Sequence, residues 1–251
     1  MERWVGKVAL VTGASSGIGA AITENLVRDG LQVVGVARRV EKVEEINKKL
    51  EGFKGKLHVR KCDVTKEEDI LEVFRWIKEN LGGVDVLVNN AGLFVAGSLT
   101  DGETEGFKRI LDVNVLAVAI ATREAVRSMK EREVAGHIFN INSVLGHFIG
   151  PPNNIVSLYP SSKFAVTAMT EVTRKELVLA GTKIKITSVS PGYVSTELFS
   201  PNGVSVISPD RLKTLSALNP EDVANAVSYA LSTPEHVQVC ELIIRAVGGL
   251  D

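Results

Sequence analysis

A chain of 251 residues, 45% of them hydrophobic, is long enough to bury one substantial core and short enough to be a single α/β domain. Lys and Arg number 29 against 30 Asp and Glu, a formal net charge of −1, which leaves no electrostatic footprint for nucleic acid or an anionic membrane surface. Cys62 and Cys240 are too few for a disulfide framework and the longest apolar stretch, Val113–Ala121, is interrupted by Asn114 and too short to span a bilayer, so a soluble cytoplasmic protein without a metal site is expected.

Lys7–Thr12 reads as a compact apolar strand and Gly17–Asp29 as the helix after it. Between them runs Thr12-Gly13-Ala14-Ser15-Ser16-Gly17-Ile18-Gly19. Glycines let backbone pass close to a pyrophosphate, and the free N–H groups of a helix N-terminus attract its charge. Gly13, Ser15, Ser16, Gly17, Ile18 and Gly19 are therefore candidate cofactor contacts, although a tight turn needs glycine too. The second strand, Gln32–Ala37, ends at Ala37-Arg38-Arg39. A carboxylate near this point would accept from a ribose 2′-OH. Two guanidinium groups suit a 2′-phosphate instead, which points to NADP(H) over NAD(H). An exposed basic pair opening the helix Val40–Leu50 is the plainer alternative, but a helix N-terminus is a poor place for cations. Asp63, with Val64 beside it, follows the strand Leu57–Cys62 and is placed to meet an adenine edge or to cap the helix Lys66–Asn80. After the strand Val84–Asn89, the small residues of Asn90-Ala91-Gly92 let backbone lie beside a cofactor, or simply turn.

Glu103–Lys130 has helical spacing throughout and carries Asn114 inside its apolar stretch. A buried amide there needs bonded partners, so Asn114 is either functional or a brace to a neighbouring helix. The strand Gly136–Asn142 delivers Ser143 to the edge where ligand-binding residues of parallel sheets gather, though a turn serine is equally ordinary. In the helix Ser157–Ala180, Tyr159 and Lys163 stand four apart and share a face. A free tyrosine has a pKa of about 10, and a nearby ammonium is expected to lower it into the range of a general base. The strand Lys183–Val189 leads to Pro191-Gly192, and the stretch 195–219, rich in proline and small polar residues, reads as a substrate lid or a surface insertion. Pro220–Leu231 and Val237–Arg245 close the chain as helix and strand. Regular strand–helix alternation, with Val/Ile/Leu-rich strands, predicts a single-domain Rossmann-type doubly wound parallel sheet of about seven strands with helices on both faces.

Together these residues resemble the short-chain dehydrogenase/reductase family, over nearly the whole chain. Thr12–Gly19, Asn89–Gly92, Asn114, Ser143, Tyr159/Lys163 and Pro191-Gly192 follow the family's order. The resemblance implies an NADP(H)-dependent oxidoreductase with Asn114, Ser143, Tyr159 and Lys163 as its catalytic tetrad. In that scheme Tyr159 is the general acid/base, Lys163 also holds the nicotinamide ribose, and Asn114 orders a water in the proton relay. Val194 and Thr196 match positions that meet the nicotinamide carboxamide. Members commonly pair the helices equivalent to Glu103–Lys130 and Ser157–Ala180, so a homodimer or homotetramer is implied. Two departures stand out: Ser143 and Tyr159 are 16 positions apart, longer than usual, and Asn142 sits where a small serine is commoner. Within the family, the Ala37-Arg38-Arg39 turn and the stretch from His147 to Pro152 look like the farnesol-dehydrogenase-like and 17β-hydroxysteroid-dehydrogenase-like cytosolic carbonyl reductases.

The segments after the fourth, fifth and sixth strands supply an expected apolar substrate wall: Leu93, Phe94 and Val95; Leu145, Phe148 and Ile149; Tyr193, Leu198 and Phe199. Apart from His147 these segments carry no cationic residue, so a carboxylate or phosphate substrate lacks an anchor in them. A lipophilic alcohol or carbonyl compound is favoured, an isoprenoid alcohol such as farnesol first, with a steroid or general carbonyl reductase as the alternative. A non-catalytic NADP(H)-sensing regulator on the same fold is the competitor from another class, but such proteins typically lose Tyr or Lys, and both are kept here.

Overall fold

The computed structural model describes residues 1–150, 155–199 and 216–249. Its centre is a seven-stranded parallel sheet in the order β3-β2-β1-β4-β5-β6-β7. The strands are β1 (Val8–Thr12), β2 (Gln32–Ala37), β3 (Lys56–Lys61), β4 (Val86–Asn89), β5 (His137–Ile141), β6 (Lys185–Pro191) and β7 (Glu241–Ile244). The helices are α1 (Gly17–Arg28), α2 (Val40–Lys49), α3 (Glu67–Leu81), α4 (Thr104–Leu111), α5 (Ala117–Glu131), α6 (Tyr159–Leu179) and α7 (Pro220–Ser232).

The near-continuous apolar strands follow from burial on both faces. In β1, Ala9 and Val11 belong to one layer with Ile22 and Leu26 of α1, Val43 of α2 and Val227 of α7. Val8 and Leu10 point the other way, onto Ile70 and Ile77 of α3 and Ala121 and Ala125 of α5. Each fully buried Val, Leu or Ile contributes about 1.5–3 kcal/mol of transfer free energy, so both layers stabilise the sheet. α7 starts where Asn219 and Asp222 form a reciprocal capping box just ahead of Pro220. It ends where Trp4 Nε1 donates to Leu231 O at 2.8 Å.

The chain winds outward from β1 to β3, then returns to place β4 on the other side of β1. Two neighbouring crossovers therefore leave in opposite directions, opening a crevice at the carboxyl ends of β1 and β4. The single helix expected over Glu103–Lys130 is two, joined by a π turn at Asp112–Leu116. π turns leave one extra residue in the helical path and recur at functional sites. α6 begins at Tyr159, after Ser157 at φ +48, so the incoming loop ends in a left-handed residue. Of the expected lid, 200–215 lies outside the described residues. Its flanks pair through a bridge between Val194 and Leu218. Among the described residues no helix is long and apolar enough to cross a membrane, and no group of His, Cys, Asp and Glu could hold a metal ion.

Candidate active site

A cleft of about 660 Å³ runs along the carboxyl edge of the sheet, from Arg38, Arg39 and Asp63 at one end to Ser143, Tyr159, Lys163 and Phe199 at the other. Every residue expected to meet a cofactor lines it except Gly19. Gly19 has a different reason for its identity. A Cβ there would lie 2.3 Å from both Asn90 Nδ2 and Gly13 O. Gly13, at φ +69, is likewise pressed against Ala91 Cα, 2.9 Å from where a Cβ would stand. Asn90 Nδ2 donates to Thr12 O at 2.8 Å, and the Asn90 and Ala91 amides donate to Thr12 Oγ1, both at 3.0 Å. The glycines thus lock the β1–α1 turn onto the loop after β4, a role the pyrophosphate argument overlooked.

At the α1 N-terminus, the Ser16 side chain makes no capping hydrogen bond. Its Oγ instead accepts from Arg39 Nη2 at 3.1 Å. The first-turn N–H groups of α1 therefore face the cleft without a side-chain acceptor, as an anion site requires. Arg38 makes no hydrogen bond among the described residues, and its charge acts on Asp63 across the cleft. Burial raises the Asp63 pKa, but hydrogen bonds from Thr65 and the charges of Arg38 and Lys66 outweigh it and hold the carboxyl below its ordinary value. Asp63 lines the cleft, and its Oδ1 accepts from Thr65 Oγ1 at 2.8 Å in the turn ahead of α3; it does not cap that helix, whose N-cap is Lys66 and carries no side-chain capping bond. An uncapped helix end, a free guanidinium and an elongated cleft fit a dinucleotide that carries an additional phosphate.

At the other end, Tyr159 is 3% exposed and hydrogen-bonded to Ser143. Lys163 Nζ lies 5.6 Å from the Tyr159 ring centroid and donates to Ile141 O at 2.9 Å. The expected depression of the tyrosine pKa by the ammonium does not appear: burial raises it, and only the Ser143 hydroxyl acts in the lowering direction. Burial also lowers Lys163, to about 8. The two groups make a candidate acid–base unit, in which a neutral phenol with a neutral amine and a phenolate with an ammonium carry the same net charge. Such a unit can pass a proton to or from a substrate oxygen beside Ser143.

Asn114, 1% exposed in the π turn, does not line the cleft. Its Oδ1 accepts from Leu93 N at 2.8 Å, while its Nδ2 donates to Leu93 O at 2.9 Å and Ser162 Oγ at 3.0 Å. Ser162 Oγ in turn donates to Tyr159 O at 2.7 Å. The side chain is a brace between the β4 loop and the first turn of α6, as the structural alternative held.

Of the expected substrate wall, Leu93, Phe94, Leu198 and Phe199 line the cleft and Val95, Leu145, Phe148, Ile149 and Tyr193 do not. Phe148 turns toward β7, its ring 4.9 Å from the Arg245 guanidinium carbon. Ile149 is 66% exposed. Tyr193 lies behind the wall, its ring 5.8 Å from that of Phe199. Phe199 packs edge-on against Phe94 at 5.0 Å, and Phe94 against Tyr159 at 5.5 Å, so an aromatic roof covers the phenol. His147 is engaged by Ser190 at 3.0 Å and Glu241 at 3.4 Å. Sequence reasoning missed Arg109 and Glu197, which also line the cleft. Arg109, five residues before Asn114 on α4, lies outside the three segments that follow β4, β5 and β6, so their lack of basic residues does not extend to the whole cleft.

The pattern that defines the short chain dehydrogenase family matches residues 7–204. The chain is 51% identical over 252 residues to a farnesol dehydrogenase of Aedes aegypti, covering 99% of each protein. It is 47% identical over 253 residues to dehydrogenase/reductase SDR family member 11 of Mus musculus, covering 98% of this chain and 96% of that protein. An X-ray structure of an alcohol dehydrogenase from Thermococcus sibiricus, complexed with 5-hydroxy-NADP, superposes with a TM-score of 0.83 at 31% identity, over 96% of this chain and 97% of that one.

Proposed function

This chain belongs to the short chain dehydrogenase family of oxidoreductases, and we propose that it is a cytoplasmic NADP(H)-dependent enzyme interconverting a lipophilic alcohol and its aldehyde or ketone. The observation that carries this reading is one cleft with a free guanidinium, Arg38, at one end and the Ser143–Tyr159–Lys163 unit at the other. NADP(H), when bound, supplies or accepts the hydride. Arg38, the α1 N-terminus and Asp63 hold its adenosine end; Asn90, Gly92, Lys163, Val194 and Thr196 hold the remainder. Ser143 positions the substrate oxygen and Tyr159 moves the proton, with Lys163 as the second member of the acid–base unit. The Phe94–Phe199 roof excludes water and receives hydrocarbon.

An isoprenoid alcohol is the favoured substrate, on the apolar roof and on the likeness to a farnesol dehydrogenase. Each methylene buried on binding is worth about 0.8 kcal/mol, so kcat/KM should rise about fourfold per added carbon until the roof is filled. A matched series of primary and secondary alcohols with NADP+ measures this, with farnesol expected far above ethanol and glycerol. Hydroxy acids belong in the same series because of Arg109. A flat series, or a preference for hydroxy acids or sugars, would sink the lipophilic reading, and a preference for secondary alcohols would favour the steroid or general carbonyl reductase.

Self-association is part of the proposal. Phe164, Val172 and Leu179 fall within one arc of α6, and Leu179 is 87% exposed. Leu111 and Leu116 add exposed apolar surface on the neighbouring α4 and π turn. Exposed apolar side chains gathered on this side of the molecule favour an association surface, and a homodimer or homotetramer is expected by light scattering at micromolar concentration. A monomer there refutes it.

A further inference from the structure

Glu197 takes no part in the chemistry above, yet it reaches into the phosphate end of the cleft. It sits on a short 3₁₀ turn, Glu197–Phe199, whose last residue belongs to the aromatic roof. Its Oε2 accepts from Arg39 Nη2 at 3.1 Å and its Oε1 from Lys42 Nζ at 3.3 Å. Both partners come from the beginning of α2. The same Arg39 nitrogen donates to Ser16 Oγ at the α1 N-terminus. Hydrogen bonds from Lys42 and then Arg39 hold the Glu197 carboxyl below its ordinary range, so it is ionised near neutrality. A protein carboxylate therefore already occupies one of the two arginines from which the cofactor preference was read.

We propose that Glu197 is a specificity-determining residue for the cofactor, an internal anion that weakens binding of the 2′-phosphate by sharing Arg39 and Lys42 with it. The proposal rests on the NADP(H) reading. A phosphate carrying close to two negative charges must share those cations with Glu197 or displace it. NAD(H) brings no charge to this corner. The pairs are exposed, so the competing interaction is small and screened by salt.

The test is Glu197→Gln, which keeps the shape and deletes the charge, with Kd for NADP+ and NAD+ measured on the full chain by titration calorimetry. The Kd for NADP+ is expected to fall about fivefold, that for NAD+ to stay within about twofold, and the gain to shrink at high ionic strength. Unchanged NADP+ affinity, an equal gain with both cofactors, or weaker NADP+ binding overturns the proposal. The wild-type ratio of the two affinities tests the NADP(H) reading separately, whereas the change in that ratio on substitution tests Glu197. The side chain is more than half exposed, so folding of the variant is secure, and an unchanged Tm verifies it.

Discussion

Tyr159→Phe is expected to lower kcat by about two to four orders of magnitude, the range that a positioned general acid/base contributes, while NADP+ affinity is retained. The substitution keeps the ring and therefore its edge-on contact with Phe94. It removes the hydroxyl bonded to Ser143 and with it the atom proposed to carry the proton to or from the substrate. Cofactor binding survives because Lys163 keeps its bond to Ile141 O. Steady-state kinetics with alcohol and NADP+, alongside calorimetric titration of NADP+, separate the two effects, and retention of a tenth of the wild-type kcat defeats the mechanism. The pH dependence follows from the same pair. Its first proton leaves near the lowered Lys163 value, about 8, because the protonated amine is buried. Alcohol oxidation needs the pair one proton short, so its kcat/KM rises as pH passes upward through about 8. Carbonyl reduction needs the full complement and falls over the same interval. In Tyr159→Phe the residual rate should lose this dependence, since the phenol that would link Lys163 to the substrate oxygen is gone.

Arg38→Ala should cost about 10- to 150-fold in kcat/KM with NADP(H), the equivalent of one charge-assisted hydrogen bond of about 1.5–3 kcal/mol, and change little with NAD(H). Arg38 is the stronger candidate of the pair because it makes no hydrogen bond among the described residues, whereas Arg39 is shared between Ser16 and Glu197. Arg39→Ala is accordingly the milder lesion, having less free donor capacity to lose. Arg38 also faces the carboxylate of Asp63, a cleft residue common to both cofactors, and a role confined to that contact would lower NAD(H) and NADP(H) activity together. Equal losses with the two cofactors would therefore assign Arg38 to structure.

Much of the fold and the chain order of the site were legible in the sequence because they depend on local spacing. Strands buried on both faces lose polar alternation, as Val8–Thr12 and His137–Ile141 do, and intervening segments keep a helical period. In a parallel sheet every strand ends at the same edge, so the Gly-rich turn, Arg38, Asp63, Asn90, Ser143 and Gly192 had to converge once that topology was inferred. What spacing does not contain is the direction of each loop side chain and the burial around each titratable group. Only the tertiary structure decided that Phe94 and Phe199 roof the site while Phe148 turns to Arg245, and that Asn114 braces Leu93 and Ser162 from within a π turn. It also reversed the expected tyrosine shift, because desolvation sums over surroundings drawn from the whole chain. The Arg39–Glu197 pair joins residues 158 positions apart, and only the folding of the Glu197–Phe199 turn beside the start of α2 brings those charges within reach.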